Sequence, residues 1–136
     1  MSSNEHTPLS FLYILQISQG KGTKTFPSQL KENLFKNSVR VKGLFSKKAY
    51  NDSYMYAISN ASEHNVGKKV ITNVLGVFNF SKPNTFQLNG TTVTAPINSI
   101  PSEIKVIITN ENFKRMEDFE GWCWIELVGF PKVNIE

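Results

Sequence analysis

Arg40, Lys42, Lys47 and Lys48 are interleaved with Tyr50, Tyr54 and Tyr56 in one short part of the chain. Cations in a groove track a phosphate backbone, and aromatic faces stack unpaired bases at about 1–3 kcal/mol each. This spacing therefore offers a chemistry for holding single-stranded nucleic acid. Tyr54 and Tyr56 share an alternating face with Ile58, which points them toward a core. Tyr50 falls in a turn and is the aromatic expected to stay open to a base.

A second group could bind a protein. Phe113, Met116 and Phe119 recur about one helical turn apart, beside Glu117 and Asp118, and Phe130 follows. An apolar patch rimmed by charge is the usual make-up of an interface. Phe113 and Phe119 could equally pack against the body of the domain. The next place to seek a partner face is the apolar run Leu9–Ile17.

The parts for catalysis are missing from the pattern. His6, His64 and Cys123 have no metal-ligand spacing, and no nucleophile–base set is suggested. His64 lies in a polar stretch, and Glu117, Asp118 and Glu120 would sit on the solvated side of a short helix. Gly20-Lys21-Gly22 lacks the spacing of a phosphate loop. The expectation is a non-enzymatic chain with no cofactor and no metal. A single cysteine forbids an internal disulfide, which suits a reducing compartment, and Cys123 reads as a small core residue. The run Leu9–Ile17 is too short to span a bilayer and lacks the flanks of a signal peptide, so an intracellular chain without a membrane partner is expected.

The formal charge is +4, and its distribution is uneven. Residues 1–82 hold eleven Lys/Arg and four Asp/Glu, net +7; residues 83–136 hold four and seven, net −3. A basic face for nucleic acid and an acidic face for a partner would produce this split. So would a general preference for Lys, which outnumbers Arg thirteen to two.

The elements that must position these residues are short strands. At 136 residues the chain fits one domain, 1–136, with tails at 1–8 and 132–136. Alternation predicts strands at Leu9–Ser18, Ser38–Ser46, Tyr54–Ser59, Lys69–Phe80 with a bulge at Gly76, and Ile104–Thr109. Ser38–Ser46 and Tyr54–Ser59 read as a hairpin, Asn60–Gly67 as a loop, and Asn89-Gly90 as a second hairpin turn. Short helices are expected over Gln29–Lys36 and Glu111–Glu120. The strand Gly121–Phe130 is apolar on both faces, which predicts that Trp122 or Trp124 is buried. Together these describe an all-β domain, a small antiparallel barrel or a sandwich.

Val39-Arg40-Val41-Lys42-Gly43-Leu44-Phe45, then Tyr54-Met55-Tyr56-Ala57-Ile58-Ser59-Asn60, then Gly121–Gly129 with its Val-Gly ending resemble an oligonucleotide/oligosaccharide-binding (OB) barrel. The likeness is to the small OB-fold subunits of replication protein A and of the telomeric CST complex. It spans residues 38–60 and 121–131, and the long C-terminal helix of those subunits has no counterpart here. The resemblance implies an OB-like antiparallel β-barrel in a heteromeric single-stranded-DNA-binding complex of telomere maintenance or replication. It implies larger OB-fold subunits as partners, a nuclear location, and only weak DNA binding by the chain alone. Under that reading Arg40, Lys42, Lys47, Lys48 and Tyr50 face nucleic acid. The partner would cover Phe113, Met116, Glu117, Asp118, Phe119 and Phe130. An accessory subunit of another assembly and a small-molecule-binding barrel are the alternatives.

Overall fold

A computed structural model describes residues 7–27, 34–50, 54–67, 69–89, 95–97 and 102–131. The domain is all-β, with no helix among the described residues. Its strands are β1 (Leu9–Ile17), β2 (Lys21–Thr25), β3 (Leu34–Ser46), β4 (Met55–Val66), β5 (Lys69–Phe78), β6 (Thr85–Leu88), β7 (Ala95–Ile97), β8 (Glu103–Thr109) and β9 (Gly121–Pro131). One sheet has the order β1-β9-β3-β6, with β7 also paired to β3; the other has the order β2-β8-β4-β5. Every described pairing is antiparallel.

Alternation builds the core between the sheets. One sheet contributes Leu15, Ile17, Val39, Val41, Leu44, Cys123, Ile125 and Leu127, and the other Met55, Ala57, Leu75, Ile104, Val106 and Ile108, all buried. Phe26, Leu34, Phe78, Phe80 and Phe119 complete the same cluster. The sheets approach each other at the turn between β1 and β2, where Ser18 bridges Lys21. No described ladder closes them into one barrel, so the expected barrel holds only in the loose sense of two sheets around a common core.

The predicted strands are present, and the bulge near Gly76 is where β5 shifts register, from Ala57↔Gly76 to Ile58↔Val74. Four expectations are overturned. Ser38–Ser46 and Tyr54–Ser59 are not a hairpin: β3 pairs with β9, β6 and β7, while β4 pairs with β5 and β8. The stretch around His64 is not a loop, because β4 continues to Val66 and turns at Gly67, whose φ of 64° suits glycine. Asn89 does not head a two-strand hairpin, since β6 and β7 both pair along β3 instead of with each other. Its amide instead donates to the carbonyls of Val41 and Leu75, at 2.8 Å each.

The fourth correction is the helix at Glu111–Glu120, which is a chain of turns. Asn110 closes a tight turn there, its Oδ1 accepting the N–H groups of Asn112 and Lys114 at 2.9 and 3.0 Å. That local alternative to helix is what Asn side chains offer. Phe113 then adopts a φ of 61°, which no right-handed helix tolerates. Met116 returns to the sheet by donating its N–H to the Ile108 carbonyl at 2.9 Å. Of the other expected helix, 29–33 lies outside the described residues and Leu34–Lys36 belongs to β3.

Inward and outward residues should differ sharply in cost. Ile125→Ala, in the sealed core, is expected to lose about 2–5 kcal/mol. Leu12→Ala, on the open side of β1, should stay within about 0.5 kcal/mol of wild type. Urea denaturation of both variants checks the assignment of faces.

Candidate binding face

The outer side of the five-stranded sheet gathers most of the cations singled out above. In β9, Cys123, Ile125 and Leu127 point inward and are fully buried, which sends Trp122, Trp124, Glu126 and Val128 outward. Neither tryptophan belongs to the sealed core; both face outward and are partly covered. Across the ladder, Phe45 pairs with Trp122 and Arg40 with Glu126 on one side, and Ile14 with Trp124 and Leu12 with Glu126 on the other. Phe45 lies 5.3 Å from Trp122 between ring centroids, and Phe86 meets Trp124 edge-on at 4.8 Å. Leu12 is 55% exposed, Ile14 51% and Leu88 73%.

A register shift between Val41 and Gly43 makes this composition possible. Before it, Val39 and Val41 face the core and Arg40 faces out; after it, Leu44 and Ser46 are buried and Phe45 faces out. The extra residue at Lys42 thus puts Arg40 and Phe45 on one face, which strict alternation would separate. Gly43 is required here, because a Cβ would run into the Phe86 ring.

The charges on this face are organised around one acid. Glu126 is 9% exposed. It accepts hydrogen bonds from Ser10 Oγ at 2.6 Å and from Arg40 Nε at 2.5 Å, with Lys42 Nζ at 3.8 Å. Burial by itself would raise its carboxyl pKa, but the bonds from Ser10 and Arg40 and the charges of Arg40 and Lys42 outweigh it. The net result lies below the ordinary value. Lys47 stands apart from Glu126, with Nζ 5.1 Å from the Trp122 ring centroid, a cation–π distance. Lys48 is exposed next to it.

Tyr50 is not an open aromatic. It packs on the core, stacks on Phe119 at 5.9 Å, and donates its N–H to the Phe80 carbonyl at 2.6 Å. Burial and the neighbouring carboxylates of Asp118 and Glu120 push its phenol up to about 12. Tyr54 and Tyr56 are the reverse case: Met55 and Ala57 fill the core, so both tyrosines face outward on the other sheet.

The expected partner group disperses. Phe119 is wholly buried and Met116 packs against the core. Phe113 is exposed against Tyr56 at 5.4 Å, and Glu117 pairs with Arg115 at 3.2 Å. Asp118 is exposed near Tyr50, while Phe130 lies against Phe35 at 6.0 Å on the five-stranded sheet. Sequence reasoning missed Trp122, Trp124, Phe45 and Phe86 as surface residues. A signal was present: Glu126 shares the alternating face of both tryptophans, and an acid seldom points into a core.

An open cleft beside the β1–β2 turn is lined by Gln16, Ser18, Lys21, Gly22 and Thr23, with no acid, base or nucleophile pairing among them. No cluster of three or more metal-ligating side chains occurs among the described residues. No helix among the described residues is long and apolar enough to cross a membrane.

Two measurements test this geometry. Because the folded Glu126 pKa is depressed, its contribution to stability is complete above the unfolded value of 4.5 and is lost as pH falls through the folded one. Acid titration of stability should show that loss, and Glu126→Gln should flatten it. Burial pushes the Cys123 thiol up to about 12. A thiol-specific reagent should leave the native chain unlabelled and label Cys123 once the chain is unfolded.

No protein-family model matches this chain, and no curated protein matches it.

Proposed function

We propose that this chain is a non-enzymatic subunit of a heteromeric single-stranded-DNA-binding assembly, of the kind that serves replication or telomere maintenance in the nucleus. The outer face of the five-stranded sheet is its working surface. The observation that carries this reading is the outward-facing group Phe45, Trp122, Trp124 and the exposed Phe86, with Lys47 over one of its rings. Aromatic rings on an open sheet face, bordered by cations, are a stacking platform for unpaired bases. The aromatic half of the face takes the nucleic acid. The aliphatic strip of Leu12 and Ile14, on the outermost strand of the sheet, suits a larger protein subunit, because exposed apolar strips are what interfaces cover.

A second reading is favoured by Leu88, which extends the aliphatic character to the opposite edge of the same face. There the partner protein covers the whole surface and no base is bound. The tryptophans separate the two readings. A dT15 oligonucleotide should quench the tryptophan emission saturably, and Trp122→Ala or Trp124→Ala should weaken binding by about 1–3 kcal/mol. Affinity purification with mass spectrometry should recover larger OB-fold proteins. Absence of any quenching, with retention of a partner that Trp124→Ala releases, would establish the second reading.

A further inference from the structure

Resting on the nucleic-acid reading of this face, we infer that Glu126 is a positioning residue that makes the face select exposed bases over phosphate. Arg40, Lys42 and Lys47 would form a strongly cationic patch if all three were unpaired. Glu126 lies between the first two, within 2.5 Å of Arg40 Nε and 3.8 Å of Lys42 Nζ. Two cations and one carboxylate leave a single net charge at that place. Ser10 Oγ holds the other end of the arrangement from β1, at 2.6 Å on Oε2. The carboxylate is thus fixed from both neighbouring strands and is not a mobile surface acid.

The consequence follows from ion release. The salt dependence of binding counts the counterions set free when phosphates are neutralised, with a slope near −0.7 per contact for single strands. Those counterions are the ones condensed on the nucleic acid, and two cations that share one carboxylate neutralise one phosphate where two unpaired cations would neutralise two. Duplex DNA presents phosphates outward and keeps its base faces stacked inside. It therefore gains less from a surface on which one of these charges is cancelled and the remaining groups are the rings of Phe45, Trp122, Trp124 and Phe86. A single strand offers base faces to those rings, with Lys47 and the one net charge left for its backbone. In this role Glu126 does not contact the bases; it acts by cancelling one charge of the Arg40 and Lys42 pair.

Salt titrations of the full chain with dT15 and with a 15-base-pair duplex, read by tryptophan emission, test this. For dT15, Lys47→Gln and Lys42→Gln should each flatten the slope by about 0.7, and Arg40→Gln combined with Lys42→Gln should flatten it no more than Lys42→Gln alone. Glu126→Gln should steepen the slope by about 0.7 and raise affinity for the duplex more than for dT15. A purely structural ion pair would change stability and leave the slope alone. If Glu126→Gln fails to fold, the arginine and lysine variants decide, since none of them alters the carboxylate itself. Flattening by the Arg40→Gln and Lys42→Gln double variant about twice that of Lys42→Gln overturns the role of Glu126 while leaving the nucleic-acid reading intact. No emission change with any oligonucleotide removes that reading itself, and the inference with it.

Discussion

Strand β9 lies between β1 and β3 and carries side chains that matter on both of its faces. Inward, Cys123, Ile125 and Leu127 are sealed in the core; outward, Trp122, Trp124 and Glu126 form the centre of the candidate face. Because side chains alternate strictly along a regular strand, the packing that fixes the first set also fixes the second. A slip of one residue would turn Glu126 into the apolar core and Ile125 out of it, so the core itself defends the register of the face. Gly121 tightens this at one end, where a Cβ would collide with the Phe45 carbonyl. The face is therefore built on the most constrained strand of the molecule, which is where a binding surface can be held rigid without loops.

Strand β3 supplies the other half, and its contribution depends on the irregularity at Lys42. The bulge changes the phase of alternation, so that Arg40 and Phe45, an odd number of residues apart, reach the same side. Neighbouring elements support the distortion. Asn89 donates its N–H to the Lys42 carbonyl at 2.8 Å and its side-chain amide to that of Val41, and Glu126 holds Arg40 and Lys42 by charge. An interruption in a ladder leaves backbone groups to be satisfied elsewhere, and Asn89 is what satisfies these. The residue that looked like a hairpin turn in the sequence is instead a clamp on a bulge.

That explains which parts of the molecule were legible in the sequence. Strands β1, β3, β8 and β9 could be read because period-2 alternation is imposed locally by burial on one face. The faces of β3 beyond Lys42 could not, since one extra residue inverts the pattern and Gly43 is the sole mark it leaves in the sequence. Tyr54 and Tyr56 point inward in the sequence because they share a face with Ile58, yet Met55 and Ala57 are what fills the space between the sheets. The turns at 110–120 were read as a helix from the spacing of Phe113, Met116 and Phe119. Asn110 and the left-handed Phe113 bring Phe119 inward and leave Phe113 outside, although both belong to one apparent stripe. Of the candidate site, the cations were legible from charge, while their aromatic companions required the sheet order.

The outward-facing rings are not explained by the needs of folding. The hydrophobic cluster between the sheets is complete without them: its members on β9 are fully buried, and none of the outer aromatics belongs to it. The contacts of Phe45 with Trp122 and of Phe86 with Trp124 recover part of the energy of burying aromatic surface, about 0.5–1.5 kcal/mol per pair. Leu12, Ile14 and Leu88 on the same side gain much less, as each keeps half or more of its surface in water. Polar residues at those three positions would serve the isolated domain as well and would lower its tendency to associate. A surface that is held in register by the core, is bulged to collect one more aromatic, and has part of its charge cancelled by a buried acid supports the proposal that it meets something outside the chain.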